Sequence, residues 1–337
     1  MNQCAMNQCA MKVSGGFERS NQVSAAESNS RTVRPWRGGV GSIGRAIAAC
    51  IALSVLLAAT PAKAQQSVDH PDAVVARPVV NMYRNATAAS DVVSQALYGT
   101  GVQTLQSSQD WFSIRTADGY TGWVEAADLK ALNGSTYAPK GDAVRVTAIS
   151  ANVYREPDVT AHAPVLQLPW ESRLEPAPPP AKNTERWLEV RLVDGQMGWV
   201  QRGDISDNFT PVNMDDMLQL AHRFIGTTYT WGGVSSLGFD CSGFTQMLER
   251  QRGIEMPRDA DIQASWSRVI AVERKDLQPG DLLYFGSSPS RITHTGMYLG
   301  NGDFIHDTTH DHPGVQISRL DDMPWTKLLV AIRRVKP

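Results

Sequence analysis

Apolar and polar residues alternate between residues 72 and 207, and one pattern occurs there twice. Trp111–Arg115 and Trp187–Arg191 carry the same order of apolar and polar positions, at an offset of 76 residues. Each segment is followed by an Asp-Gly pair and then by Gly-Trp-Val. Alternation around an Asp-Gly turn is typical of a β-hairpin. The pattern therefore predicts two copies of one small β domain.

The two copies differ in length before these hairpins. Upstream, Met82-Tyr83-Arg84 matches Val153-Tyr154-Arg155 at an offset of only 71 residues. The second copy therefore holds about five extra residues, which we expect in the proline-rich piece Glu175–Lys182. Short strands at this spacing favour a small barrel, and two copies are too few for a solenoid. We place the barrels at residues 72–132 and 141–207.

The pattern changes after residue 211. Apolar residues recur at helical spacing from Met214 to Ile225, which predicts an amphipathic helix. A glycine-rich loop follows, and then a second helix over Phe244–Arg252. Further strands are expected at Leu282–Phe285, Thr295–Leu299, Asp303–His306 and Leu328–Val335. Helices followed by a run of strands indicate an α+β domain at residues 212–337.

The first 64 residues have the pattern of a leader. Several arginines precede an apolar run at Ala46–Ala59, which ends in Pro61-Ala62-Lys63-Ala64. A basic region, a short apolar core and an A-x-A site together predict a secretory signal peptide. The alternative is a retained membrane anchor, although the apolar run is short for a membrane span. Cleavage near Ala64 would leave a periplasmic or secreted protein with no membrane segment.

The composition gives no reason to expect a nucleic-acid partner and leaves one cysteine to explain. The 337 residues carry a net charge of −2, and the hydrophobic content of 42% suits a protein with a buried core. Three of the four cysteines lie in the leader, so Cys241 alone remains after Ala64. A lone thiol in an oxidising compartment indicates a chemical role. The alternative is a small buried apolar residue.

Cys241 directly follows Asp240 in the stretch Gly-Phe-Asp-Cys-Ser-Gly-Phe. Aspartate is a favourable N-cap, so Cys241 is expected at the start of a helix. The helix dipole and the unpaired backbone N–H groups there favour a thiolate and can hold an oxyanion beside it. These features predict a cysteine nucleophile, which requires a base.

Two histidines lie in a hairpin predicted around Gly300-Asn301-Gly302, and the register of that hairpin decides whether they can act together. A two-residue turn would put His294 and His306 on opposite faces of the sheet. A three-residue loop with a left-handed Gly302 would place His306 opposite Gly296, so that the two histidines share one face as diagonal neighbours. We favour this second register, with His294 as the base and His306 as the residue that orients it.

A metal site is the other interpretation of these histidines. The segment His306–His312 contains three histidines and two aspartates. The order of these ligand types is irregular, however, and residues 310–313 have the composition of a solvated loop. We therefore predict thiol chemistry, with no metal and no cofactor.

Six short motifs occur in order over residues 212–337. They are Tyr229-x-Trp231-Gly232-Gly233, Asp240-Cys241-Ser242-Gly243-Phe244, Pro257-Arg258-Asp259, Pro279-Gly280-Asp281-Leu282, His294-x-Gly296-x-Tyr298-Leu299-Gly300 and Phe304-Ile305-His306. Together they resemble the NlpC/P60 family of cell-wall cysteine peptidases, and the two β copies resemble bacterial SH3 domains. The resemblance implies a papain-like fold, with Cys241, His294 and His306 as catalytic residues. It also places Tyr229 close to the nucleophile.

The whole architecture resembles the γ-D-glutamyl-L-diamino acid endopeptidases, which cut murein stem peptides, some of them only where the N-terminal L-Ala is free. In those enzymes the first SH3 domain and the aspartate before the nucleophile hold the substrate's ammonium, which implies roles for Tyr120 and Asp240. Ser242 and Asp259 match substrate-binding positions. Asn85 stands where an acidic residue is expected, which argues against strict ammonium recognition.

The sequence thus predicts an α+β papain-like catalytic domain preceded by two small all-β SH3-like barrels. The predicted function is an exported, monomeric cysteine endopeptidase that cuts the bond between D-Glu and the diamino acid of murein peptides. One alternative is an endopeptidase that acts on intact peptidoglycan. Another is a non-catalytic wall-binding protein, which the presence of Cys241, His294 and His306 disfavours.

Overall fold

The computed structural model describes residues 70–139, 141–178 and 184–336. The predicted leader at residues 1–64, including the cleavage site near Ala64, lies outside the described residues. Three parts follow one another along the described chain: a first β domain, a second β domain and an α+β domain. Across these ranges, no helix is both long and apolar enough to cross a membrane.

The first β domain is a seven-stranded antiparallel sheet around its own apolar core. Its strands are β1 (Ala73–Val75), β2 (Val79–Tyr83), β3 (Val92–Leu97), β4 (Gly101–Ser108), β5 (Trp111–Arg115), β6 (Thr121–Glu125) and β7 (Leu129–Ala131). Their hydrogen-bonded order is β3-β2-β6-β5-β4-β1-β7. Val80, Met82 and Ile114 are among the side chains that fill the core.

The second β domain repeats this topology strand for strand. Its strands are β8 (Val144–Val146), β9 (Ser150–Tyr154), β10 (Leu166–Pro169), β11 (Arg173–Pro176), β12 (Trp187–Arg191), β13 (Met197–Gln201) and β14 (Ile205–Ser206). The order β10-β9-β13-β12-β11-β8-β14 equals the first order with every strand number raised by seven. Tyr98 and Val74 of the first domain pack into the core of the second, so the two domains share buried surface.

The predicted Asp-Gly hairpins are present in both β domains. Ile114 pairs with Gly122 in the first and Val190 pairs with Gly198 in the second. The turn glycine of the first hairpin, Gly119, has a φ of 78°, in the left-handed region that favours glycine. The Asp-Gly pairs therefore predicted the positions of both hairpins correctly.

The extra length of the second copy falls where it was expected. Thr104 pairs with Ile114 in the first β domain, whereas Pro176 pairs with Val190 in the second. The connection between strands β11 and β12 is therefore longer than its counterpart. Part of this connection, residues 179–183, lies outside the described residues.

The α+β domain packs its longer helices on one face of a six-stranded antiparallel sheet. Its elements are α1 (Met214–His222), β15 (Val234–Ser235), β16 (Gly238–Phe239), α2 (Cys241–Gln251), α3 (Ala260–Ala264), β17 (Val269–Ala271), β18 (Leu282–Ser288), β19 (Arg291–Gly300), β20 (Asp303–Thr308), β21 (Gly314–Arg319), α4 (Trp325–Leu328) and β22 (Leu329–Val335). The sheet order is β17-β22-β18-β19-β20-β21. Helix α2 packs against β19 and β20. Phe244 and Met247 of this helix meet Met297 and Ile305 of the sheet.

The structure differs from the expected elements in several places: helix α2 begins at Cys241 rather than at Phe244, and strands β15 to β17 and helices α3 and α4 were not predicted. Helix α1 ends at His222 rather than at Ile225, because the chain turns at Gly226, whose φ is 88°. Strand β21 was not predicted, although it pairs along the whole of β20. The α+β class and the two preceding all-β domains are confirmed.

Both β domains pack against the α+β domain. The Trp231 indole N–H donates to the Val92 carbonyl at 3.1 Å, which joins the glycine-rich loop to strand β3. In the second β domain, the Trp170 ring packs edge-on against Phe224 with centroids 5.6 Å apart. Glu171 forms a salt bridge with Arg250 of helix α2 at 2.6 Å. The first contact holds the first β domain against the glycine-rich loop, and the other two hold the second β domain against the α+β domain, with Arg250 in the last turn of helix α2.

Candidate active site

Cys241 is the first residue of helix α2, as the capping argument predicted. Asp240 is the N-cap, and its carboxylate accepts a hydrogen bond from the Gly243 N–H at 2.7 Å. The Cys241 side chain is buried, with 6% of its surface exposed, and takes part in no disulfide. A Cβ atom on Gly243 would lie 2.1 Å from the Gly233 carbonyl oxygen. Glycine is therefore required for the helix to start this close to the Gly232-Gly233 loop.

The Asp240 carboxylate is bound on both oxygens by a buried arginine. Arg258 donates to the two Asp240 oxygens at 2.9 and 2.6 Å, a bidentate pair, and to the Ser242 hydroxyl at 2.9 Å. The Gly232 N–H adds a further bond to Asp240 at 3.0 Å. Arg258 also donates to Ser94 of the first β domain at 3.2 Å. Asp240 and Ser242 thus lie together, but the charge of Asp240 is already balanced.

Tyr120 of the first β domain reaches the α+β domain at Asp259. Its hydroxyl donates to the Asp259 carboxylate, with oxygen–oxygen distances of 3.2 and 3.3 Å. Burial raises the pKa of Asp259 above its ordinary value, and the nearby Arg258 lowers it in part. Tyr120 and Arg84 line a cavity of about 400 Å³ beside this contact. The structure therefore places the Tyr120 hydroxyl against Asp259. That Tyr120 and Asp240 together hold a substrate ammonium stays a prediction.

The two candidate histidines are joined by a short hydrogen bond. His294 Nε2 lies 2.7 Å from His306 Nδ1, and His306 Nε2 lies 3.0 Å from the Ser318 hydroxyl. Met297 pairs with Ile305, so His306 lies opposite Gly296, as predicted. The expected three-residue loop is wrong, however: Gly300 pairs with Asp303 across a two-residue turn, and an irregularity between Tyr298 and Gly300 produces the register. Burial, and next the neighbouring His310, lowers the pKa of His294 to about 3. Burial likewise lowers the pKa of His306, so both rings are neutral near pH 7.

Trp325 closes the histidine pair on one side. Its ring centroid lies 5.3 Å from that of His294 and 4.7 Å from that of His306. Trp325 is 3% exposed, so it shields both rings from water. The sequence does not predict the roles of Trp325 and Ser318. Both follow the last motif, and they contact the histidines only in the folded structure.

Tyr229 lies next to the strand that leads to the nucleophile. Its main chain bridges to Phe239, two residues before Cys241, and its side chain is half-buried. The predicted site residues therefore form three connected groups: the start of helix α2 with Asp240, Cys241 and Ser242; the pair Tyr120 and Asp259; and the pair His294 and His306. Arg258 contacts the first group and precedes Asp259 in the chain.

No arrangement of three or more metal-ligating side chains occurs in the part of the chain that the structure describes. The segment considered as a metal site instead makes other contacts. His310 pairs with Asp311 at 3.0 Å, and His306 is bonded to His294 and Ser318. Cys241 begins helix α2, and this helix packs against the strands β19 and β20 that carry His294 and His306.

The sequence is similar to known protein families and relatives. The sequence model of the NlpC/P60 family matches residues 226–334, and that of the bacterial dipeptidyl-peptidase SH3 domain matches residues 82–129. A gamma-D-glutamyl-L-lysine dipeptidyl-peptidase of Bacillus cereus is 30% identical over 74% of this chain and 77% of its own length. An enzyme of that name from Bacillus subtilis is 27% identical over 72% of this chain and 81% of its own.

The fold also matches a solved structure. The crystal structure of an NlpC/P60 family protein from Bacillus cereus superimposes with a TM-score of 0.66, over 79% of this chain and 99% of the other. The two sequences are 24% identical in that superposition. The superposition spans most of the described chain, so the arrangement of β domains and α+β domain is common to both proteins.

Proposed function

This chain belongs to the NlpC/P60 family of cysteine peptidases, and from that premise we propose that it hydrolyses the bond between γ-D-Glu and the diamino acid of murein peptides. The names of the relatives from Bacillus cereus and Bacillus subtilis support this bond. The observation that carries the proposal is the 2.7 Å contact between two buried histidines on strands that pack against the helix of Cys241.

The direction of the hydrogen bonds fits His294 as the base. If His306 donates from Nε2 to Ser318, its Nδ1 is an acceptor, and His294 Nε2–H donates to it. The Nδ1 atom of His294 then carries a lone pair that can accept the thiol proton of Cys241. Because burial keeps the imidazole neutral at rest, proton transfer accompanies the attack of sulfur on the carbonyl carbon.

The start of helix α2 supplies the electrostatic part of the reaction. Asp240 takes the N–H of Gly243, and the preceding N–H groups of the first turn have no carbonyl partner within the helix. In the proposed mechanism they hold the oxyanion that forms beside Cys241. The amine of the diamino acid leaves with the proton from His294, and water then hydrolyses the acyl-enzyme.

Substrate selection is proposed to lie at the contact between the first β domain and Asp259. A free N-terminal ammonium needs an anionic partner, and the Asp240 carboxylate already has Arg258. The Asp259 carboxylate faces Tyr120 beside the cavity of about 400 Å³. We therefore assign the ammonium of L-Ala to Asp259 and Tyr120, with Asp240 and Ser242 shaping the pocket. Export through cleavage near Ala64 remains part of the proposal.

Product analysis by mass spectrometry tests the bond. L-Ala-γ-D-Glu-diaminopimelate should yield L-Ala-D-Glu and free diaminopimelate, and the Cys241→Ala variant should yield neither. Iodoacetamide should abolish turnover, and EDTA should leave it unchanged. Release of peptides only from whole sacculi would instead support an endopeptidase of intact peptidoglycan. Sacculus binding without any cleavage would indicate a wall-binding protein.

A further inference from the structure

Equivalent positions of the two β domains line two different cavities. Arg84 and Tyr120 of the first domain line the cavity beside Asp259. Their counterparts in the repeat are Arg155 and Gln196, and both line a larger cavity of about 840 Å³ between the two β domains. Equivalent surfaces of the two β domains therefore each line a cavity. The cavity between the two β domains has no role in the proposed reaction.

The floor of this second cavity, the inter-domain cleft, is apolar and fixed. Leu166, Leu192 and Val193 of the second β domain and Tyr98 of the first contribute to it. Tyr98 is 2% exposed, and its hydroxyl accepts a hydrogen bond from the Val193 N–H at 2.8 Å. Because the floor belongs to the core that the two domains share, the cleft exists before any ligand arrives.

The rim of the inter-domain cleft is basic. Arg77, Lys130, Arg155 and His162 surround it, against Asp194 as an acidic lining residue. Arg77 has a loose pair with Asp128 at 3.4 Å, and His162 has one with Glu156 at 3.2 Å. Within the described residues, neither Lys130 nor Arg155 forms an ion pair. The cleft thus offers unpaired cations above an apolar floor.

We propose that the inter-domain cleft is a second binding site, for the carboxylate-bearing part of a murein peptide. Lys130 and Arg155 bind the carboxylates of the peptide, and the apolar floor receives its alanine methyl groups. A cationic donor and a carboxylate form the stronger, charge-assisted kind of hydrogen bond. The identity of the peptide rests on the proposed function, whereas the preference for an anion rests on the cleft alone.

Calorimetry on the full chain with Cys241→Ala tests the number of sites. L-Ala-γ-D-Glu-diaminopimelate should bind at two sites in this background. Adding Lys130→Gln with Arg155→Gln should weaken one of them about tenfold or more and leave the other unchanged. The charge-conserving pair Lys130→Arg with Arg155→Lys should keep both. Lys275→Gln, a change at an exposed lysine of the α+β domain, is the matched control.

The outcomes separate this inference from the proposed function. A single site in the Cys241→Ala protein, or two unchanged sites after both glutamine substitutions, would overturn the inference even if the wild type cleaves the peptide. If the Cys241→Ala protein binds the peptide at two sites but the wild type does not cleave it, the proposed bond is overturned and the cleft site is kept. Equal affinity for inorganic phosphate would reject a peptide as its ligand.

Sedimentation with purified sacculi shows whether the cleft binds peptides still attached to glycan or released peptides. If the cleft holds peptides that are still attached to glycan, the two glutamine substitutions should lower the bound fraction about fivefold at constant ionic strength. If it holds released peptides, calorimetry alone should show the loss. The activity of the double variant on the soluble peptide should stay within about twofold of wild type, because neither residue lines the cavity at Tyr120.

Discussion

Asp307 is a buried carboxyl group beside the nucleophile loop. It is 0% exposed, and neither carboxyl oxygen has a hydrogen-bond partner in the described part of the chain. Burial, and next the charge of Asp240, raises the pKa of Asp307 to about 8. Nearby amides of Thr308 and Phe239 lower it only in part. Asp307 is therefore protonated in the folded protein at neutral pH and ionised in the unfolded chain.

This difference predicts that Asp307→Asn stabilises the protein in a pH-dependent way. The folded-state pKa lies above the unfolded value, so the stability of the wild type falls as pH rises from about 4 to about 8. Because asparagine does not ionise, the Asp307→Asn protein should not lose stability from this group as pH rises. Thermal unfolding at pH 8 should show a gain of about 2 kcal/mol or more for Asp307→Asn, shrinking toward pH 4. A gain that is the same at both pH values would contradict the assigned protonation state.

The hydrogen-bonded histidines predict unequal effects of substitution. His294→Ala removes the base and should lower kcat/KM at least about 100-fold. His306→Gln should cost less, because its amide oxygen can still accept the N–H of His294 and hold the ring. His222→Ala, on the exposed end of helix α1, is the control and should retain full activity. A near wild-type rate for His294→Ala would refute the mechanism.

At the scale of elements, the hairpin of strands β19 and β20 brings the histidines together, and Gly296 permits its close packing. A Cβ atom on Gly296 would lie 2.9 Å from the Cβ of His306 and 3.0 Å from the Ile305 carbonyl oxygen. Gly296→Ala should therefore displace His306, lowering kcat/KM about tenfold or more and costing about 1–3 kcal/mol of stability.

Gly203→Ala is the matched control for this change. Gly203 lies in a 3-10 helix of the second β domain, and a Cβ atom there would meet no atom within 4 Å. Activity and melting temperature of the two variants can be compared directly. Equal activity in both would show that the register does not depend on the small residue at 296.

Elements that depend on neighbouring residues could be predicted from the sequence, whereas those that depend on distant residues could not. The start of helix α2 follows from a capping aspartate, which acts within a few residues. The β19–β20 register depends on an irregularity between Tyr298 and Gly300, which the residues of the turn do not show. The bidentate pair of Arg258 and Asp240 joins residues that are far apart in the chain, so no local pattern shows it. Strand β21 has few alternating positions, and only its partner β20 identifies it.

At the scale of the whole molecule, the proposed function gives the first β domain a part in substrate selection. Free L-Ala-γ-D-Glu-diaminopimelate should be cleaved with a kcat/KM about 100-fold above that of its N-acetylated form, since the acetyl group removes the ammonium that we propose Asp259 binds. Tyr120→Phe removes the hydroxyl that orients Asp259 and should reduce the difference.

The comparison must include the second β domain as a control. Gln196 occupies the position of Tyr120 there and lines the inter-domain cleft rather than the cavity at Tyr120. Gln196→Ala should therefore leave the ratio for the two peptides unchanged. Equal kcat/KM for free and N-acetylated peptide in the wild type would reject ammonium recognition, whatever bond is cut.

The clamp that Arg258 forms between Ser94 and Asp240 bears on biosynthesis. A chain emerges from the ribosome with its amino terminus first, so both β domains can fold before the thiol is made. Ser318 and Trp325, which support the histidines, are made after Cys241, His294 and His306. A prematurely terminated chain would lack that support, and a fragment without the first β domain would lack Ser94. Truncated chains should therefore be inert as hydrolases.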